Sequence, residues 1–286
     1  MRDITTDTIT EAAQQSWAQA EDPRLRQVLQ RLVHHLHAFV RDVEPSHAEW
    51  LAAAEFLWRC GRICDEKRNE FALLSDVLGV TSLVDLMNAA PGATIGSVLG
   101  PFYSDDSPTV PLGADLSKDN EGDVVLLTGI VRDIEGRPIS GAIIDMWQTN
   151  AAGTYATQDP AQPDENLRCK QVCNADGRYA FTTVAPGPYT IPLDGPVGAL
   201  VERTGRSPWR PAHFHFIVRA DGHRSLVTEL FFPDDPHVDS DAVFGVREPL
   251  VRAPRPVVQG EPLPVPLQRQ PGRRLDFDFT LVPVNG

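Results

Sequence analysis

The chain has 286 residues, of which 42% are apolar and 23% charged, and a formal net charge of −13. That balance is ordinary for a folded globular protein, and an acidic surface argues against a nucleic-acid partner. No apolar run approaches the ~18 residues of a membrane span, and the opening MRDITTDTIT lacks the basic and apolar blocks of a signal peptide, so a cytoplasmic protein with no membrane partner is expected.

Residues 1–95 read as helices. Asp22 is placed to cap a helix with Pro23 at its first position. Leu25, Val28, Leu29, Leu32, Leu36, Phe39 and Val40 then recur at helical spacing as one apolar stripe. Ser46-His47-Ala48-Glu49 is a capping box that opens the next helix. A third run, Phe71 to Leu78, ends at Gly79, and Thr81 opens a short fourth. His34, His35 and His37 fall in the first long helix and read as surface or interface residues rather than ligands.

Ala90-Pro91-Gly92-Ala93 marks a break, and from residue 96 the texture changes to short β runs separated by Gly, Pro, Asp and Asn. The runs are Val124–Val131, Ala142–Trp147, Tyr179–Val184, Arg210–Val218, Ser225–Phe232 and an alternating Leu275–Leu281. Many short strands with turn signals favour a β-sandwich over a βαβ fold. The expected class is α+β: a helical segment over 1–95, then a mainly antiparallel sandwich over 96–286. Residues 253–272, rich in proline, read as an extended arm or a mobile loop.

The four cysteines form two CxxxC pairs, Cys60/Cys64 and Cys169/Cys173. That spacing is not the CxxC of structural zinc, so reduced thiols are expected.

The chemistry gathers around Arg210-Pro211-Ala212-His213-Phe214-His215-Phe216. In a strand, residues i and i+2 share a face with Cα atoms roughly 6–7 Å apart. His213 and His215 therefore point together, either as two ligands of one metal ion or as polar residues on a solvated face. Phe214 and Phe216 point oppositely, into a core. Two of the four tyrosines stand in irregular surroundings: Tyr155 in the polar loop from Thr149 to Tyr155, and Tyr189 in the turn Pro186-Gly187-Pro188-Tyr189. Phenolate oxygen suits a ferric ion better than zinc.

Taken together, these pieces resemble the intradiol ring-cleavage dioxygenases of the catechol 1,2-dioxygenase group. The matching stretches are Gly100-Pro101-Phe102-Tyr103, Gly129 to Trp147, Gly153-Thr154-Tyr155, Asp176 to Tyr179, Pro186 to Tyr189 and Arg210 to Phe216. The resemblance implies one non-haem Fe(III) per subunit, held by Tyr155, Tyr189, His213 and His215. It implies that an aromatic diol or triol is opened by O2 between its two hydroxylated carbons. Tyr189 is the ligand that leaves on substrate binding, and Arg210 is a fixed cation beside the ring. It further implies a homodimer formed through the N-terminal helices, although by composition that segment fits equally well as a cap on a monomer.

Matching the family's pocket gives Leu73, Asp76, Val98, Gly100, Pro101, Phe102 and Arg210 as substrate contacts. Members that prefer catechol carry an apolar residue at Asp76, whereas hydroxyquinol-type members carry aspartate, which can accept a hydrogen bond from a third ring hydroxyl. The run Ser240–Val246 also resembles hydroxyquinol-type sequences. Benzene-1,2,4-triol, giving 3-hydroxy-cis,cis-muconate or maleylacetate, is therefore the favoured substrate, with catechol or a substituted catechol the alternative. Glu229 departs from the glutamine common in catechol-type members, so a raised pKa, a pairing with Arg210 and a changed role all stay open. Two rivals remain on the residues alone: a non-catalytic transthyretin-like binding module carried by Gly129–Ile144, and a zinc hydrolase using His213, His215 and Glu229.

Overall fold

A computed structural model describes residues 3–65 and 68–284. It separates into two compact units, one ending at Arg59 and the other beginning at Cys60. The first holds α1 (Ile9–Gln15), α2 (Pro23–Val43) and most of α3 (His47–Ile63). As expected, Asp22 caps α2 by accepting from Arg24 N and Leu25 N, with Pro23 at the first turn. Glu49 and Ser46 form the reciprocal capping box: Ser46 N donates to Glu49 Oε2 at 2.8 Å and Glu49 N donates to Ser46 Oγ at 3.3 Å. Two glutamines, each donating to the other's backbone carbonyl (Gln14 Nε2 to Gln30 O, 3.1 Å; Gln30 Nε2 to Gln14 O, 3.2 Å), lock α1 against α2. His37 faces this contact, with Nδ1 3.1 Å from Thr10 Oγ1. The apolar stripe of α2 lies on the surface: Leu36 is 53% and Phe39 60% exposed. Among the described residues, no helix is long and apolar enough to cross a membrane.

The second unit begins with α4 (Glu70–Val77) and α5 (Val80–Met87), joined at Gly79. Strands follow in order: β1 (Ala114–Asp115), β2 (Val124–Asp133), β3 (Ile143–Gln148), β4 (Arg168–Val172), β5 (Arg178–Val184) and β6 (Tyr189–Thr190). After α6 (Pro196–Arg203) come β7 (Trp209–Arg210), β8 (His213–Arg219), β9 (Leu226–Phe231), β10 (Arg255–Pro256), β11 (Arg273–Asp276) and β12 (Phe279–Leu281). One sheet runs β1-β5-β2-β11-β10, with β12 also on β2; the other runs β4-β3-β8-β9; β6 and β7 form a separate pair. The inner faces meet in one core. Val125, Leu127 and Phe181 of the first sheet pack with Ile144, Met146, Phe214 and Phe216 of the second. Phe214 and Phe216 are fully buried, each worth about 2–3 kcal/mol over an exposed ring.

Two expectations need correction. The alternating run Leu275–Leu281 is not one strand but two, β11 and β12, both parallel to β2. The ladder breaks between them because Asp278 Oδ1 accepts from Ile130 N at 2.8 Å, the place of a backbone carbonyl. The backbone passes so close there that a Cβ on Gly129 would lie 1.7 Å from Phe277 O. Tyr189 is likewise not in a turn but in strand β6, paired with Arg210 of β7. Within the 253–272 segment Arg255–Pro256 form β10 at the sheet edge, and the rest is turns, bends and irregular chain. Cys64, Cys169 and Cys173 are free thiols. Burial pushes Cys173 up to about 12 and Cys169 beyond it, so both stay protonated.

Candidate metal centre

The outer face of the β4-β3-β8-β9 sheet carries the site. Period-2 alternation along β8 sends Phe214 and Phe216 inward and His213 and His215 outward, where both are nonetheless buried (2% and 1% exposed). Their Nε2 atoms are 3.0 Å apart. The Nδ1–H of His213 donates to Pro211 O at 2.6 Å, which leaves its Nε2 lone pair aimed at His215. Trp147, directly opposite on β3, stacks flat on the His215 ring at 4.8 Å and 5° and fixes its plane. Burial holds both imidazoles neutral: His213 falls to about 4, helped by the charge of Arg210, and His215 falls well below the usual imidazole range, helped by His213.

The tyrosines arrive on two interlocked loops. Gly187 N donates to Asn150 O at 2.9 Å, Thr149 Oγ1 donates to Gly187 O at 2.9 Å, and Asn150 Oδ1 accepts from Ala152 N and Thr154 N. Gly153 (φ +82) packs so tightly that a Cβ there would lie 2.2 Å from Pro188 O. This brings Tyr155 and Tyr189 edge to face at 5.2 Å. The Tyr155 hydroxyl lies 3.5 Å from His213 Nε2. Among the described residues the buried Tyr189 hydroxyl has no hydrogen-bond partner. Burial raises the pKa of both phenols, further for Tyr155 through the charge of Tyr189. Two neutral imidazoles and two buried phenols, one of them unsatisfied, form a donor set that fits a highly charged, oxygen-seeking cation.

A buried ionic cluster borders the donors. The Arg210 guanidinium donates from Nε to Asp241 Oδ1 (3.0 Å), from Nη2 to Asp241 Oδ2 (3.2 Å) and from Nη1 to Glu229 Oε1 (2.8 Å). Burial opposes its charge, but Asp241 and Glu229 outweigh that and hold its pKa up. Its Nη1 is also 3.2 Å from His213 Nε2. Glu229 thus pairs with Arg210, one of the three roles left open by the sequence. Its Oε1 lies 3.3 Å from His215 Nδ1, and its Oε2 receives Ser97 Oγ at 2.5 Å. His213, His215 and Glu229 do cluster, as a zinc site would require. Glu229, however, is already engaged by Arg210 and Ser97, while the two phenols stand ready.

Leu73, Asp76, Val98, Gly100, Pro101 and Arg210 line one cavity together with Tyr189. Phe102 is the exception: it stacks on Tyr155 at 4.5 Å instead of lining that space. Gly100 leaves room for the His215 ring, whose Cε1 would be 3.1 Å from a Cβ there. Asp76 is buried (6% exposed), not a solvated helix residue, and burial raises its pKa against a Thr81 hydrogen bond and the charge of Arg210. Ile191, Pro192 and Val243 complete the wall, and Trp147, Ser97 and Asp241 support the donors. Asp241 and Val243 lie in the Ser240–Val246 run and Trp147 ends the Gly129–Trp147 stretch, but none of the six was given a site role from the sequence, because each is an ordinary residue whose role comes from a long-range contact.

Comparison with known proteins agrees with this geometry. Residues 98–283 match the family model described as dioxygenase, and residues 22–94 the model described as catechol dioxygenase N terminus. The chain belongs to the intradiol ring-cleavage dioxygenases and is an enzyme of that class, which removes the binding-module and hydrolase rivals. It is 47% identical to a hydroxyquinol 1,2-dioxygenase of Rhizobium sp. (strain MTP-10005), over 81% of this chain and 79% of that one. It is 39% identical to a 6-chlorohydroxyquinol 1,2-dioxygenase of Cupriavidus pinatubonensis, over 99% of both. The crystal structure of hydroxyquinol 1,2-dioxygenase from Pseudomonas putida DLL-E4 superimposes with a TM-score of 0.87 at 40% identity, over 97% of this chain and 98% of that one.

Proposed function

We propose that this enzyme opens benzene-1,2,4-triol with O2 between its adjacent hydroxylated carbons, giving 3-hydroxy-cis,cis-muconate, the enol form of maleylacetate. The carrying observation is a buried carboxylate, Asp76, in the cavity that also holds Tyr189 and Arg210. A plain catechol pocket has no use for that carboxylate; a third hydroxyl gives it a donor.

Tyr155 Oη, Tyr189 Oη and the Nε2 atoms of His213 and His215 would hold one non-haem ferric ion. When bound, that ion supplies a Lewis-acid centre that favours phenolate and catecholate at neutral pH and accepts electron density from the ring. The protein's own part is orientation and proton handling. Asp76 accepts from the third hydroxyl and so fixes which edge of the ring faces the donors. Tyr189 Oη, as the phenolate that the bound ion would favour, would take a proton from the incoming diol. Arg210, clamped by two carboxylates, presents a fixed cation to the charge that develops on the ring during cleavage. Leu73, Val98, Pro101 and Val243 keep water from the ring.

Oxygen uptake with identified products tests the reading. The triol is consumed with 1:1 O2 stoichiometry and yields the dicarboxylate, at kcat/KM at least tenfold above catechol. Equal turnover of both substrates contradicts the triol assignment. The exposed stripe of α2 supports a homodimer built on these helices, in which each copy covers the other's Leu36 and Phe39. A monomer by sedimentation at micromolar concentration contradicts that pairing.

A further inference from the structure

We infer that Glu70 and Arg206 are positioning residues that set the width of the ring cavity by stapling α4 to both ends of the α6 segment. The inference deepens the function proposed above and rests on that reading of the cavity. Two walls of the cavity come from different elements: Leu73 and Asp76 from α4, Ile191 and Pro192 from the chain leading into α6. Nothing in local sequence fixes the distance between these walls, so tertiary contacts must.

The first staple is at the start of both helices. The N-cap of α6 is Gly195, which offers no side-chain acceptor, and Pro196 follows it. The orphan amide of Val197 donates instead to Glu70 Oε1, 3.0 Å away on α4. Glu70 is 1% exposed, and its Oε2 receives Arg68 Nε (3.1 Å) and Nη2 (2.9 Å), while Arg68 Nη1 reaches Asp194 at 2.8 Å. The fit leaves no slack: a Cβ on Gly195 would lie 2.3 Å from Glu70 Oε1. Gly198, one turn into α6, lies so close to the lead-in that a Cβ there would be 2.5 Å from Pro192 O. Movement of α6 is thus passed directly to Pro192.

The second staple closes the other end. Arg206, just past α6, donates from Nη1 to Val77 O at 2.7 Å, the last residue of α4. Its Nη2 donates to Ala242 O at 2.9 Å, beside Val243, a third wall of the same cavity. One residue at each end therefore ties α4 to the other wall, and neither side chain lines the cavity.

The test compares Glu70→Ala, Glu70→Gln, Arg206→Met and Arg206→Lys with the wild-type holoenzyme. Substrates are the triol, catechol and 4-tert-butylcatechol, and amide hydrogen exchange is followed over residues 70–78 and 190–201. Glu70→Ala and Arg206→Met raise the kcat/KM ratio of 4-tert-butylcatechol to catechol at least tenfold, with KM for the triol rising more than kcat falls. They also speed exchange in both segments together. Glu70→Gln keeps an acceptor for Val197 N, and Arg206→Lys keeps a donor, so both stay within about threefold of wild type. If Glu70→Ala fails to fold, the partly buried Arg206→Met carries the test alone. Folded variants with wild-type substrate ratios and wild-type exchange overturn the staple. A wild-type protein that turns over none of the three substrates overturns the function instead, and hydrogen exchange then still decides the staple.

Discussion

Asp241 grips Arg210 side-on, with Nε–H on Oδ1 at 3.0 Å and Nη2–H on Oδ2 at 3.2 Å, and so turns Nη1 toward Glu229 and His213. The same carboxylate accepts from Gly245 N at 2.8 Å, so one residue fixes both the cation and the loop beside it. Removing one partner of a buried charge pair costs about 3–5 kcal/mol. Asp241→Ala is expected to lower Tm by several degrees and ring-cleavage kcat by about tenfold or more, the loss typical of a mispositioned electrostatic group. Thermal melting and oxygen uptake check it; wild-type kcat in a folded variant contradicts the positioning role.

Glu229 and Ser97 give a sharper discrimination. Ser97 Oγ sits 2.5 Å from Glu229 Oε2 and 2.7 Å from Gly245 O, and one hydroxyl proton serves only one of them. In Glu229→Gln the amide oxygen accepts from Arg210, the amide N–H donates to Ser97, and Ser97 donates to Gly245 O. The glutamine variant is therefore expected to melt within about 1 kcal/mol of wild type or above it, while Glu229→Ala loses about 3 kcal/mol through the stranded arginine. Matching losses in both variants would show that the network is not what Glu229 supplies.

Asp76 sets function against stability. Burial raises its pKa, so the folded state holds the proton more tightly than the unfolded chain does. That contribution is complete below the unfolded value and is lost as pH rises through the folded one. Once ionised, the buried carboxylate is a cost to the fold, and Asp76→Leu is expected to raise Tm at pH above the folded value. The same change should lower the triol-to-catechol ratio of kcat/KM by about 10- to 100-fold, the worth of one unmade buried hydrogen bond. Melting curves and paired kinetics on one preparation read both effects.

Metal loading should release protons. Burial keeps Tyr155 and Tyr189 protonated in the metal-free protein, whereas His213, at about 4, and His215, held well below the usual imidazole range, are already neutral at pH 7. Ferric affinity of the apoprotein should rise with pH by up to about tenfold per unit for each proton displaced. A competitive titration with a ferric chelate at pH 6, 7 and 8 checks this, with Tyr189→Phe expected to flatten the slope. A slope that is flat in the wild type would place the phenols outside the metal's ligand set.

Much of the architecture was legible because it follows local periodicity. The alternation of His213, Phe214, His215 and Phe216 needs only the geometry of a strand, and Asp22–Pro23 and Ser46–Glu49 announce their helices by capping chemistry. The limits are equally physical. The break at Phe277–Asp278 is invisible in an alternating sequence because it is made by Asp278 reaching Ile130, 148 residues away. Phe102 was matched to the family's pocket, but nothing in the sequence shows that it stacks on Tyr155 at 4.5 Å and meets the Tyr189 ring edge-on at 6.0 Å. Ser97 and Glu229 are 132 residues apart, and no spacing rule joins them. Gly153 and Pro188 matter through a backbone contact that neither residue type signals.

The central claim is that two tyrosines and two histidines hold a ferric ion that the triol reaches through the Asp76 cavity. Its most direct test is the visible spectrum of the iron-loaded protein, before and after anaerobic addition of benzene-1,2,4-triol and, separately, catechol. The account predicts a broad phenolate-to-ferric band that moves to longer wavelength with the triol, and at lower concentration than with catechol. A protein that stays colourless after ferric loading would contradict it.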